Sequence, residues 1–189
     1  MIKTIKYTFL ALLFVGCATT RVDPRALEFE NKCLMESTVN APTAPNTCSI
    51  CLELNPMSTQ CLVSLGKQMF EVKDFDKAIN LFERALILDP RIAVAHNNLG
   101  VIYFIRGQYY KATERFHAAT VIDPTYVDAR MGLAISYYRI AVEATNRQAA
   151  LENLVSCRDE LQKVLAIVPN EPDATKALVA VNEYIKQLS

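Results

Sequence analysis

The chain has 189 residues, 51% of them hydrophobic, with no tryptophan and five glycines. That is enough for one domain with a substantial core, and the residue usage favours helices. Twenty basic residues balance twenty acidic ones without a basic patch, which argues against nucleic-acid binding. After residue 17 no apolar run reaches the roughly 20 residues that a membrane-spanning helix needs.

The N-terminus is not part of the fold. Lys3 and Lys6 form a basic region, and Tyr7 to Val15 is a short apolar stretch. The stretch ends Leu13-Phe14-Val15-Gly16-Cys17, which resembles a bacterial lipobox. The resemblance implies that residues 1–16 are a lipoprotein signal peptide and that Cys17 becomes an acylated N-terminus. Ala18 follows where an aspartate would signal inner-membrane retention, so by the same analogy the lipid reaches the outer membrane and the chain faces the periplasm. Three acyl chains exceed the two signals that stable anchoring requires. Residues 17–24 read as a lipidated linker, and the mature chain keeps 18 basic residues against 20 acidic ones.

Residues 25–58 form a cysteine-rich helical pair. A helix is predicted from Arg25 to Ser37, then a loop from Thr38 to Pro45, then a short helix over 46–54 that Asn55-Pro56 ends. Cys33, Cys48, Cys51 and Cys61 lie in or beside this pair, and an exported location favours disulfides among them. Four cysteines permit three pairings. Cys48-Ser-Ile-Cys51 is also a CxxC, so a thiol-redox or zinc-binding role for Cys48 and Cys51 is the alternative reading.

A repeating pattern follows. Over 93–124, Leu99-Gly100, Tyr103, Ala112, Phe116 and Ala119 fall on facing stripes of two helices, 93–106 and 109–121. Gly107 supplies the turn and Pro124 closes the unit. Over 59–90 the same offsets hold Leu65-Gly66, Met69, Ala78, Phe82, Ala85 and Pro90. Pro56, Pro90 and Pro124 are spaced by 34 residues. The third unit, 127–169, opens in phase with Leu133-Ala134 and Tyr137 but closes at Pro169, eleven residues late. Eleven residues are close to three helical turns, so both helices can lengthen without rotating their apolar stripes. The predicted helices are 127–144 and 147–167, with Cys157 and Leu161 where Ala112 and Phe116 stand one unit earlier. Residues 171–189 form a last helix with Ala174, Leu178, Val181 and Ile185 on one side and Lys176, Glu183 and Lys186 on the other, as an end cap requires.

The period and the order Leu-Gly, Tyr, Ala, Phe, Ala, Pro resemble the tetratricopeptide repeat. The resemblance implies an all-α fold: a tetratricopeptide-type α-solenoid of about three helix pairs, with a degenerate N-terminal pair and a C-terminal capping helix. It favours pairing Cys33 with Cys48 across the first helix pair, and Cys51 with Cys61 into the next repeat. It also implies a concave groove lined by first helices. The matching residues are Val63, Lys67 and Phe70, then Asn97, Val101 and Phe104, then Met131, Ile135 and Tyr138. That set is mostly apolar and suits an amphipathic helix or an extended hydrophobic segment of a protein partner. Chaperone-binding relatives carry a two-carboxylate clamp at positions that here hold Val63, Lys67, Asn98, Asp128 and Gly132, so the clamp is missing.

Chemistry finds no foothold. The two histidines, His96 and His117, sit on different helices as packing residues, and no nucleophile elbow, zinc motif or phosphate loop occurs. No catalytic residue, metal or cofactor is expected. The expectation is a non-enzymatic, membrane-anchored interaction scaffold or assembly adaptor of the bacterial envelope. The small lipoproteins that pilot pilus secretins look similar in anchor and fold.

Overall fold

A computed structural model of the protein describes residues 23–188. The segment expected to be a signal peptide and the expected lipidation residue Cys17 lie outside the described residues. Among those described the fold is all-α. The helices are α1 (Ala26–Thr38), α2 (Ala44–Leu54), α3 (Thr59–Glu71), α4 (Phe75–Leu88), α5 (Ala93–Ile105), α6 (Tyr109–Ile122), α7 (Val127–Glu143), α8 (Arg147–Ile167) and α9 (Pro172–Leu188). Four successive hairpins form, α1 with α2 through α7 with α8, and α9 packs on α8. The first helices also touch in series, α1 on α3, α3 on α5 and α5 on α7, whereas each second helix packs on first helices. Such a stack curves toward the first helices and makes theirs the concave face.

Each hairpin is held at one close approach. A β-carbon on Gly100 would lie 2.7 Å from the Phe116 ring, and one on Gly66 would lie 2.8 Å from the Phe82 ring. Glycine is therefore required where α3 meets α4 and where α5 meets α6. In the α7–α8 hairpin Ala134 stands in place of the glycine, and Leu161 with Cys157 fills the same core. The smaller Leu161 makes room for the alanine methyl. The elongation of this hairpin is shared. α7 has 17 residues against 13 in α5, and α8 has 21 against 14 in α6. Additions of four and seven residues are about one and two turns, so Leu154, Cys157, Leu161 and Val164 all stay buried.

Turns and caps follow from local chemistry. Asp74 and Asn146 accept from the backbone N–H of Lys77 and Ala149 and so start α4 and α8. Gly107 and Lys73, one period apart, both adopt a positive φ, +71° and +62°. The helix expected over 46–54 begins earlier, at Ala44, with Pro45 in its first turn. Proline has no N–H to lose there, so the expected loop through Pro45 is shorter than the sequence suggested.

The N-terminal hairpin lacks the Leu-Gly signature and is held by sulfur instead. Cys33 and Cys48 join α1 to α2, with their sulfurs 2.05 Å apart. Cys51 and Cys61 join α2 to α3 at 2.03 Å. These four cysteines form their own buried cluster. Closing loops with separations of 15 and 10 residues stabilises by about 3 kcal/mol each in the chain-entropy account. At the other end, α9 buries Ala174 and Val181 against the α7–α8 core while Lys176, Asn182, Glu183, Lys186 and Gln187 face outward.

Candidate binding site on the concave face

The concave face holds a cavity of about 460 Å³ where α1, α3, α5 and the start of α7 converge. Three of the groove residues expected from the sequence line it: Lys67, Phe70 and Asn97. The α3 wall is Ser64, Lys67, Gln68 and Glu71, a stripe at helical spacing, and the α5 wall is Val94, Asn97 and Asn98. Tyr126 and Asp128 close one side, and Ser37, Thr38 and Asn40 at the end of α1 close the other.

The other expected groove residues lie elsewhere. Val63 packs between the first two repeats, against the clusters around Phe82 and Leu81. Val101 and Phe104 pack on the Phe116–Leu133 cluster, and Met131 on the α8–α9 core. Phe104 also packs on Tyr109 in a tilted ring pair with centroids 5.2 Å apart, as Phe70 does on Phe75 at 5.7 Å, at the two hairpin turns. Ile135 and Tyr138 line a separate apolar cavity of about 150 Å³ with Ala177 and Ala180 of α9. On α3 the predicted Lys67 and Phe70 line the cavity, whereas Val63, partly buried, packs on its neighbours, and Ser64, Gln68 and Glu71 complete the wall. The lining here is more polar than the apolar trough expected from the sequence.

Its polar groups are unevenly satisfied. The Gln68 amide donates to Ser37 Oγ at 2.7 Å, and the Asn98 amide donates to the Val94 carbonyl at 2.7 Å. The side-chain oxygens of Gln68 and Asn97 are buried and meet no donor among the described residues, and Asn97 is only 8% exposed. Lys67 is exposed and forms no ion pair with a described residue. Burial raises the Tyr126 phenol above its usual range, and the negative charges of Asp128 and Asp123 add to that. A larger cavity, about 590 Å³, lies beside α2 and α4. Three of its polar side chains are already engaged, Asp76 with Arg106, Lys77 with Asp74 and Ser49 with the Pro45 carbonyl, and its fourth, Asn80, is exposed. It therefore leaves less unmet hydrogen bonding than the concave cavity does.

Of the clamp-equivalent positions, Lys67, Asn98 and Asp128 share the cavity. Gly132 does not, since its α-carbon abuts the Phe116 ring, where a β-carbon would stand 2.5 Å away. His96 is half-buried, its Nε2 3.1 Å from the Pro90 carbonyl, whereas His117 is exposed on α6 rather than packed. Gln68, Ser64, Tyr126 and Glu71 were not predicted as lining residues. The 64/67/68/71 spacing on α3 was the available signal for three of them.

Helix hairpins stacked with their first helices on one concave face define an α-solenoid. Residues 81–114 match the family model described as tetratricopeptide repeat. Among curated proteins no sequence match is found. Solved structures with the same fold include a MamA RS-1 double mutant, 19% identical over 88% of this chain and 90% of that one, with a TM-score of 0.71. The first tetratricopeptide domain of Spaghetti (RPAP3), bound to the HSP90 peptide SRMEEVD, is 20% identical over 68% of this chain and 93% of that one, with a TM-score of 0.58. The Sgt2 tetratricopeptide domain from Aspergillus fumigatus is 23% identical over 68% and 80%, with a TM-score of 0.56. Residues 81–114 thus match one tetratricopeptide repeat, and the chain as a whole shares the fold of these solved structures.

Proposed function

We propose that the protein is a non-enzymatic adaptor that holds a segment of another envelope protein in its concave cavity. The observation that carries this is the α3–α5 wall. Two consecutive repeats place Lys67, Gln68, Asn97 and Asn98 around one opening, with two amide oxygens unpartnered. Buried polar groups without partners are unfavourable, so a cavity lined by them is best explained by a polar ligand that completes them. The peptide held by the RPAP3 domain is a precedent for this use of the fold.

The lipobox-like start supports an anchor on Cys17 in the outer membrane, with the solenoid in the periplasm. In that setting the adaptor would assist assembly of an envelope machine, a pilus or secretin system being the specific form of the reading. The redox or metal alternative needs the Cys48 and Cys51 thiols together. Each sulfur is bonded instead to a third cysteine, which favours the adaptor.

Site-specific photocrosslinking in intact cells tests the reading. A photoreactive residue at Thr38, on the exposed rim of the cavity, should yield one discrete protein adduct. The same residue at Val121, exposed on α6, should not. No adduct at Thr38, or the same adducts at both positions, overturns the reading. Cys17→Ser should release the chain from the membrane fraction and abolish palmitate incorporation.

A further inference from the structure

We propose that the concave cavity receives a cationic side chain, an arginine or lysine carried by the bound protein segment. This rests on the adaptor reading and specifies the chemistry of the partner. The lining is rich in acceptors. The buried amide oxygens of Asn97 and Gln68 meet no donor among the described residues. Asp128 and Glu71 add carboxylates from opposite walls. Lys67 is the one cation that lines the cavity. It stands one helical turn from Glu71 on α3, so those two charges offset and Asp128 leaves the site with one net negative charge.

Neighbouring cations are committed elsewhere. Arg130, two residues beyond Asp128, donates to Glu160 and to the Pro124 carbonyl. Two aromatic residues, Phe70 and Tyr126, are also among the lining, and an aromatic ring is a favourable neighbour for a guanidinium. A carboxylate ligand would face Asp128, Glu71 and two unpartnered oxygens with a single lysine to meet it. A guanidinium brings five donors to a site whose unmet groups are acceptors. The cavity is therefore opposite in preference to one that takes an acidic peptide such as SRMEEVD.

The test is a titration of the isotope-labelled full-length chain in non-ionic detergent. The probes are N-acetyl-arginine amide and N-acetyl-glutamate amide, with the side-chain amide resonances of Asn97 and Gln68 as readout. The arginine probe should shift these resonances saturably and the glutamate probe should not. Asp128→Lys, at an exposed position, should weaken arginine binding by about tenfold or more. Asp128→Asn, which keeps the shape, should weaken it less. Equal response to both probes, no saturable response to arginine, or undiminished affinity in Asp128→Lys overturns the inference. The two readings can fail separately. A Thr38 adduct whose captured segment is acidic removes this inference and leaves the adaptor standing. Arginine binding without any Thr38 adduct removes the adaptor and leaves the cavity chemistry standing.

Discussion

Breaking the ion pair inside the α7–α8 hairpin should destabilise the fold asymmetrically. Arg130 Nη1 and Glu160 Oε2 are 2.8 Å apart, with only 12% and 10% of their side chains exposed. Glu160 also receives Lys163 at 2.6 Å, and Arg130 also donates to the Pro124 carbonyl at 2.8 Å. Glu160→Leu strands a buried guanidinium with one carbonyl acceptor, a change that costs about 3 kcal/mol. Arg130→Met leaves Glu160 with its lysine, so its cost is nearer that of one charge-assisted hydrogen bond, about 1.5 kcal/mol. For a chain of this size each kcal/mol moves the midpoint by about 2–4 °C. The expected drops are then about 6–12 °C for Glu160→Leu and about 3–6 °C for Arg130→Met. The double variant, apolar on both sides, should recover most of the loss, because well-packed apolar replacements of buried pairs are often neutral. Thermal melts by far-UV circular dichroism at fixed pH and salt would measure all four corners of this cycle. A Glu160→Leu midpoint equal to the parent's, or a double variant whose loss is the sum of the singles, refutes the argument.

Four further outcomes follow from local structure. Gly107 has open space for a β-carbon but a φ of +71°, so Gly107→Ala should lower the midpoint by about 2–6 °C through backbone strain alone. Lys73→Gly, at the equivalent turn, relieves similar strain against a larger unfolded-state entropy, so it should raise the midpoint by no more than about 2 °C. Burial holds the Cys157 thiol up at about 12, so iodoacetamide followed by peptide mapping should leave it unmodified in the native protein and modify it after denaturation. Labelling at equal rates in both states would show the third core to be open. Burial also lowers the His96 pKa below its ordinary 6.5, so the unfolded chain binds the proton more readily. Stability from this group is complete above 6.5 and is lost as the pH falls below it. His96→Phe should flatten that part of the midpoint-versus-pH curve, and an unchanged curve would count against it.

What the sequence makes legible here is whatever repeats. Leu99-Gly100 with Phe116, and Leu65-Gly66 with Phe82, recur at fixed offsets because each pair solves the same packing problem, and the stripes place every hairpin core. The eleven extra residues of the third unit are readable for the same reason, since whole turns keep Cys157 and Leu161 in phase. Features that occur once carry no such signal. Arg130 is a largely buried cation on α7, and nothing in its own helix shows that Glu160, thirty residues on, would neutralise it. Gly132 reads as a departure from a binding motif, yet together with Gly100 it makes room for the Phe116 ring. On α3 the predicted Lys67 and Phe70 do line the cavity, but Val63 packs against the clusters around Phe82 and Leu81. Val63 suits a ligand and a core equally well, so only the packing of the next hairpin decides its role. Ser64, Gln68 and Asn97, which make the lining acceptor-rich, are single occurrences whose partners lie on other helices, and periodicity alone does not say which of them stay unpaired.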